Sequence, residues 1–348
     1  MELDVEAARA LHDDTPVVDL HADTAKLMQV FGYDLFLRHE PPLPRAAWFG
    51  HVDVPRMREG GLCAQFFGLW TFPVPQRGCA ASVAAQLDVL ERDVAAHPDD
   101  LEWCWSGADV RRAKAAGRIA VLAGLEGAHA LEGRPERVNA LARRGVRYIG
   151  LVHLSANAVA APSLGLGRRR DRGLGELAHD AIAEADRMGM LVDLAHISRR
   201  GFFEALAATR GVPIVSHTGV TGVARSWRNI DDEQIRAIAG RGGIVGIIFA
   251  PRFLGCDGIG AVRAHLEHVV NVAGEDTAAL GSDFDGMVRP PKGLEDVACL
   301  PRLTATLLAG GMPERVVRKL LGENALRVLG DAPGGRSASQ PDAAAQLR

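Results

Sequence analysis

The chain is short of cysteine, of lysine and of surplus charge. Five cysteines (Cys63, Cys79, Cys104, Cys256, Cys299) lie scattered through 348 residues and form no C-x-x-C pair. An odd, scattered set excludes a disulfide scaffold and a thiolate-built zinc site, and it suits a reducing compartment. Forty basic residues against forty-three acidic ones leave a net charge of −3. That balance lacks the basic surplus of a nucleic-acid binder. No uninterrupted apolar run reaches about 18 residues, so no membrane-spanning helix or anchor is expected. The N-terminal MELDVEAARALHDD carries acids where a secretory leader needs bases and an apolar core, so a cytoplasmic location is expected. What is present is a globular mix, 47% apolar and 24% charged. A chain of this length buries roughly three quarters of its surface without a staple. Twelve histidines remain to be explained.

Read for period, short apolar runs alternate with Ala/Leu/Arg-rich helical patterns. The runs are 16–21, 62–67, 119–126, 148–153, 190–196, 212–217, 243–249 and 277–283. Continuous apolar runs read as strands buried on both faces, and therefore as a parallel sheet. Helical patterns fall near 80–97, 135–144, 175–188, 199–209, 232–241 and 259–273. Eight βα units predict a TIM-type (β/α)₈ barrel. Segments 24–60 and 68–118 are insertions in it, and helices near 300–329 follow the last strand. One hydrolase domain is expected over 1–330. The Gly/Ser/Pro/Ala-rich segment 331–348 is expected to be disordered.

Polar residues sit where these runs end. They are His21 and Asp23, Glu126, His153, His196, His217 and Asp283. In a barrel all strand C-termini open on one face, so residues distant in sequence converge. In His21-Ala-Asp23 the two side chains lie two apart, which on a strand turns both the same way. Glu126, after an apolar run, is costly to bury unpaired and reads as a carboxylate shared by two cations. His129 falls in the following loop and is not counted as a ligand. His196 and His217 end consecutive strands. Imidazole and carboxylate without thiolate suit zinc, and open positions suit catalysis. Asp193 alternates away from His196 and reads as structural. Asp283 is favoured as the proton carrier over Asp285, which precedes Gly286 as a turn residue does. The four lysines (Lys26, Lys114, Lys292, Lys319) all lie away from strand ends. A lysine-bridged pair of metals is thereby disfavoured, and Glu126 is the available anionic bridge.

In order, the chain reads H-x-D at 21–23, G-L-E-G around Glu126, L-x-H-x-x-x-N through His153, V-D-L-A-H-I-S at 192–198, P-I-V-S-H at 213–217, R-N-I-D-D at 228–232, G-S-D-F-D-G at 281–286 and G-E-N-A-L-R-V-L at 322–329. This series resembles the membrane (renal) dipeptidase family, the M19 metallopeptidases of amidohydrolase type, from about 16 to 330. The resemblance implies a zinc-dependent dipeptidase with two Zn²⁺ per chain. His21 and Asp23 would bind one ion, His196 and His217 the other, and Glu126 would bridge them. His153 would meet the scissile carbonyl, Arg228 the substrate carboxylate, and Asp283 the proton. A homodimer is also implied. Two cations held there would acidify a bound water near neutral pH, and His153 would help meet the charge that develops on the attacked carbonyl.

The chain departs from the family at Ala224-Arg225-Ser226-Trp227-Arg228-Asn229, where relatives often read D-H-P-R-N. The metal set is untouched by this change and the substrate is opened by it. Another small amide, a lactam or an N-acyl amino acid is the alternative substrate. A non-catalytic metal-binding barrel is disfavoured, because pure binding needs neither His153 nor Asp283.

Overall fold

The computed structural model describes residues 3–39, 47–74, 76–168, 172–330 and Leu347. The segment expected to be disordered therefore lies, Leu347 apart, outside the described residues. Every strand pairing is parallel. The strands are β1 (Val18–Ala22), β2 (Ala64–Trp70), β3 (Leu101–Trp103), β4 (Ile119–Glu126), β5 (Val146–Gly150), β6 (Leu191–Asp193), β7 (Pro213–Thr218), β8 (Ile244–Ile247) and β9 (Ala278–Leu280). Strand β2 pairs with both β1 and β4, and β9 returns to β1 through Asp19 and Leu280, which closes an eight-stranded (β/α)₈ barrel. The eight barrel strands are the eight apolar runs. The unforeseen β3 lies beside the start of β4, before β5 takes over that edge at Ala123. Three residues are too few to register as an apolar run.

The six expected helices form at Cys79–Ala96, Arg137–Arg143, Ala178–Arg187, Arg199–Ala208, Asp232–Ala239 and Ile259–Ala273. Two of their starts are chemically marked. Ser198 accepts from the Gly201 N–H, and Asp231 with Gln234 forms a reciprocal capping box. Among the described residues no helix is long and apolar enough to cross a membrane.

Alternation along the strands separates two apolar cores. One cluster takes a side chain from every barrel strand: Leu20, Phe66, Leu122, Tyr148, Leu191, Ile214, Ile244 and Ala279. Only the barrel interior can be shared by all eight. The other cluster takes the alternate residues, such as Val121, Ala123 and Leu125 of β4, against the surrounding helices. Helix Asn324–Leu329 closes one end of the interior with Ala325, Leu326, Val328 and Leu329. At the other end the same alternation continues past Ala120 and Leu122 to Gly124 and Glu126. It thereby aims a carboxylate inward at the mouth.

Candidate metal centre

The strand ends bring the expected ligands together around one oxygen. Glu126 Oε1 lies 2.9 Å from His196 Nε2, 3.4 Å from His153 Nε2, 3.5 Å from His217 Nε2 and 3.7 Å from His21 Nε2. His21 Nε2 lies 3.3 Å from Asp23 Oδ1 and 3.9 Å from Asp283 Oδ1. His196 and His217 present their Nε2 atoms to each other at 2.8 Å. All seven side chains are buried.

Local geometry corrects two details of the expected site. Asp23 is not on the strand: β1 ends at Ala22, and Asp23 is the N-cap residue of helix Thr24–Phe31. It caps nothing. Its side chain leaves the helix N–H groups alone and turns to His21 instead. His153, His196 and Asp283 each sit three residues beyond the end of their strand, because β5, β6 and β9 stop at Gly150, Asp193 and Leu280. His196 (φ 65°) and Asp283 (φ 62°) adopt the left-handed conformation that side chains avoid, as do Asp285 (φ 64°) and Met287 (φ 57°). Each such residue costs roughly 1–3 kcal/mol and persists where surrounding contacts hold it. Arg228 is buried, and one of its N–H groups donates to the His217 carbonyl at 2.7 Å. Its neighbour Trp227 is 51% exposed, with the Arg168 guanidinium over its ring.

Two glycines make room for the cluster. A Cβ at Gly68 of β2 would fall 2.6 Å from both Asp23 Oδ1 and His21 Cε1. A Cβ at Gly124 would fall 1.9 Å from Cζ of Tyr148. Tyr148 was missed from sequence. Its hydroxyl crosses the barrel to lie 2.7 Å from His21 Nδ1 and also reaches the Leu20 carbonyl. The residues read as structural behave so. His129 is tied to Ser155, and Asp285 accepts from the N–H groups of Gly50 and His51 and from the Thr24 hydroxyl. Asp193 binds Ser216.

Burial and crowding shift the titratable groups of the cluster in both directions. Burial and the nearby Glu126 charge push the Asp23 carboxyl up to about 7. Burial and Asp23 push Asp283 well above the carboxylate range. Burial works in the same direction on Glu126, but His153, His21 and the His196 hydrogen bond outweigh it and hold that carboxyl well below its usual range. Burial keeps His153 neutral, down to about 4, and His196 and His217 well below their usual value. His21 goes the other way: burial opposes its charge, but Tyr148, Glu126 and Asp23 outweigh it and raise its pKa well above the usual value. Three neutral imidazoles beside crowded carboxylates suit a divalent cation, which would take the place of the His21 proton. Three sets of ligand atoms each lie within 4.8 Å of one another: His21–Glu126–His217, Glu126–His153–His196 and His21–Asp23–Asp283. His21 Nε2, Asp23 Oδ1 and Glu126 Oε2 are buried without a hydrogen-bond partner. Orphaned donor atoms of this kind, all N and O, fit a metal.

The cluster floors a cavity of about 540 Å³. Its walls are largely apolar, with Trp48, Trp70, Leu154, Phe253, Met287 and Val288 among them, and Arg228 also faces it.

The chain matches the model of the membrane dipeptidase family (peptidase family M19) over residues 5–340. The solved structure of a dipeptidase of family M19 is 28% identical, covers 92% of this chain and 99% of its own length, and superposes with a TM-score of 0.81. A metallopeptidase from Rhodobacter sphaeroides, solved with a phosphinate mimic of the dipeptide L-Ala-D-Ala, is 27% identical over 90% of this chain and 98% of that one, with a TM-score of 0.80. A probable dipeptidase from Pseudomonas aeruginosa, 18% identical over 95% of this chain and 98% of its own, shares the fold with a TM-score of 0.85. A match that spans the whole barrel makes this chain a member of the membrane dipeptidase family, peptidase family M19, and a metallo-dipeptidase.

Proposed function

We propose that the chain hydrolyses the amide bond of small dipeptides at a centre of two zinc ions. The observation that carries this reading is the position of Glu126. One oxygen lies within 3.7 Å of His21, His196 and His217, while Oε2 is unpartnered. His21 and Asp23 would hold one ion, His196 and His217 the second, and Glu126 both. When bound, the cations supply Lewis acidity to the carbonyl and acidify water at neutral pH.

The remaining work falls to this chain's own side chains. Asp283 faces His21 across 3.9 Å at the cavity floor, and its raised affinity for protons suits it to take one from the attacking water and return it to the leaving amine. His153 is kept neutral, and its ring N–H donates to the oxygen on which charge develops. Arg228 keeps N–H groups beyond the one given to His217, and these face the substrate carboxylate. The apolar walls exclude water and select substrates that carry a bulky apolar side chain.

Metal analysis with parallel turnover of a stereochemically varied dipeptide library tests this. About two zinc ions per chain are expected, with activity lost to a chelator and restored by zinc. Full activity in a metal-free preparation overturns the proposal. A second reading, hydrolysis of N-acyl amino acids, keeps the same centre. It is favoured by the walls: among the described lining residues, Asp257 is the one carboxylate outside the cluster that could meet a substrate amine, and it is already engaged by the Lys292 N–H and ammonium. Turnover of N-acyl compounds without turnover of dipeptides selects it. The homodimer belongs to the same proposal, and a sedimentation mass of one chain removes it.

A further inference from the structure

We infer that two buried aspartate–serine pairs are positioning residues for the centre, one setting the tautomer of His217 and the other the backbone of Asp283. The inference rests on the reading of His217 as a metal ligand and of Asp283 as the proton carrier.

The pairs share one design. In the first, Asp193 at the end of β6 accepts the Ser216 N–H on Oδ1 at 2.8 Å and the Ser216 hydroxyl on Oδ2 at 2.6 Å. In the second, Asp19 of β1 accepts the Ser282 N–H on Oδ1 at 2.8 Å and the Ser282 hydroxyl on Oδ2 at 2.6 Å. Each serine immediately precedes a residue of the centre, His217 or Asp283, on the neighbouring strand or just beyond it. All four side chains are at most 2% exposed. A carboxylate buried this deeply is tolerated where its oxygens are satisfied, and these are.

The consequences differ because the neighbours differ. Ser216 Oγ lies 2.9 Å from His217 Nδ1. A hydroxyl has one hydrogen, and Ser216 gives it to Asp193. Its oxygen can then only accept from His217, which fixes the ring proton on Nδ1. The Nε2 lone pair is left facing His196 and Glu126. Ser282 touches no imidazole. Its oxygen instead accepts the Phe284 N–H at 3.1 Å, and the Asp283 N–H donates to the His21 carbonyl at 3.0 Å. Asp283 is thereby held, at its positive φ, between two fixed residues.

The same substitution at both aspartates separates the roles. In Asp193→Asn, Oδ1 still faces the N–H groups of Ser216 and Ala195, so the new amide N–H₂ faces the serine hydroxyl. Ser216 must then turn its hydrogen to His217 Nδ1, which drives the ring proton to Nε2, where the metal binds. Zinc affinity, read by competition with a chromophoric chelator, is expected to fall ~10–100-fold. In Asp19→Asn the hydroxyl has no imidazole to reverse. Asp19 Oδ1 also accepts the His21 N–H at 3.3 Å, but no imidazole proton moves, so zinc affinity is expected to stay within about threefold while kcat falls and KM holds as the seat of Asp283 loosens. Ser216→Ala, which needs no room, is expected to repeat the affinity loss. Ring-nitrogen NMR of the parent is expected to find His217 protonated at Nδ1. Parent-like zinc affinity in both Asp193→Asn and Ser216→Ala overturns the inference, as does equal loss of affinity at Asp193 and Asp19, the signature of packing alone. A parent chain that binds no zinc defeats the metal reading and this inference together. A zinc-binding parent beside unaltered variants defeats this inference alone.

Discussion

The two ends of the barrel are built on opposite principles. At the closed end, Leu326, Val328 and Leu329 of the last helix fill the interior, and burial works with the residue types. At the mouth, three carboxylates and four imidazoles converge, most of them buried beyond their normal tolerance, on backbone that twice enters the left-handed region. The same eight strands carry both ends. The difference teaches that the barrel's stability is made at one end and used at the other, where burial opposes the charged residues until a cation joins them.

The largest effect should follow from cutting the mouth at its hub. Glu126→Gln keeps the volume but removes the charge that His21, His153, His196 and His217 all face. Metal content is expected to fall from two ions to one or none, with turnover down by about 10³-fold or more, some 4 kcal/mol of activation free energy. Because the imidazoles hold the Glu126 carboxyl ionised, the metal-free variant is expected to lose some Tm at neutral pH, and an unchanged or raised metal-free Tm would show that this attraction does not outweigh burial. Asp283→Asn comes next. With zinc retained, kcat is expected to fall ~10²–10⁴-fold, the usual worth of a positioned acid or base. Unchanged kcat removes Asp283 from the chemistry.

Much of this was legible before any coordinates, for an identifiable reason. His21, Glu126, His196, His217 and Asp283 announce themselves because each interrupts or ends an apolar run, and barrel topology gathers such ends on one face. Tyr148, Trp70, Ser216 and Ser282 do not. On a strand buried on both faces nearly every position is apolar or small, so inward and outward residues look alike. Tyr148 shows its role only when pairing places it across the barrel from His21. The left-handed turns at His196 and Asp283 were equally hidden, because neither residue is glycine. Asp23 shows the opposite error: its spacing from His21 suggested a strand, and the right convergence arose by another route, a helix start whose cap is given to the centre.

The closed end offers a smaller effect of a different kind. Leu326 is 2% exposed inside the interior cluster. Leu326→Ala is expected to cost ~2–5 kcal/mol of unfolding free energy, as large-to-small core changes do. Chemical denaturation reads that loss. Well below the new Tm, kcat/KM at saturating zinc should be unchanged. A matching loss of catalytic efficiency would mean that the two ends are mechanically coupled along the strands, and the comparison would have to be redrawn.

The finest test uses pH on the metal-free protein. Burial and Glu126 raise the Asp23 carboxyl from its usual 3.8 to about 7 in the folded chain. A raised pKa means that the folded state holds a proton the unfolded state releases. Its stabilising contribution is therefore complete below about pH 4 and is lost as pH climbs through about 7. Several buried histidines titrate in the opposite sense, so the parent's own profile mixes signs, and the difference from Asp23→Asn isolates the carboxyl. The variant is expected to gain on the metal-free parent steadily between pH 4 and pH 7 and to hold that lead above it. Zinc should reverse the order, because a cation holds Asp23 ionised and gives the parent a ligand that the variant lacks. If the two metal-free profiles run parallel across this window, Asp23 is not strained in the folded chain. The mouth would then owe the cation less than its crowding suggests.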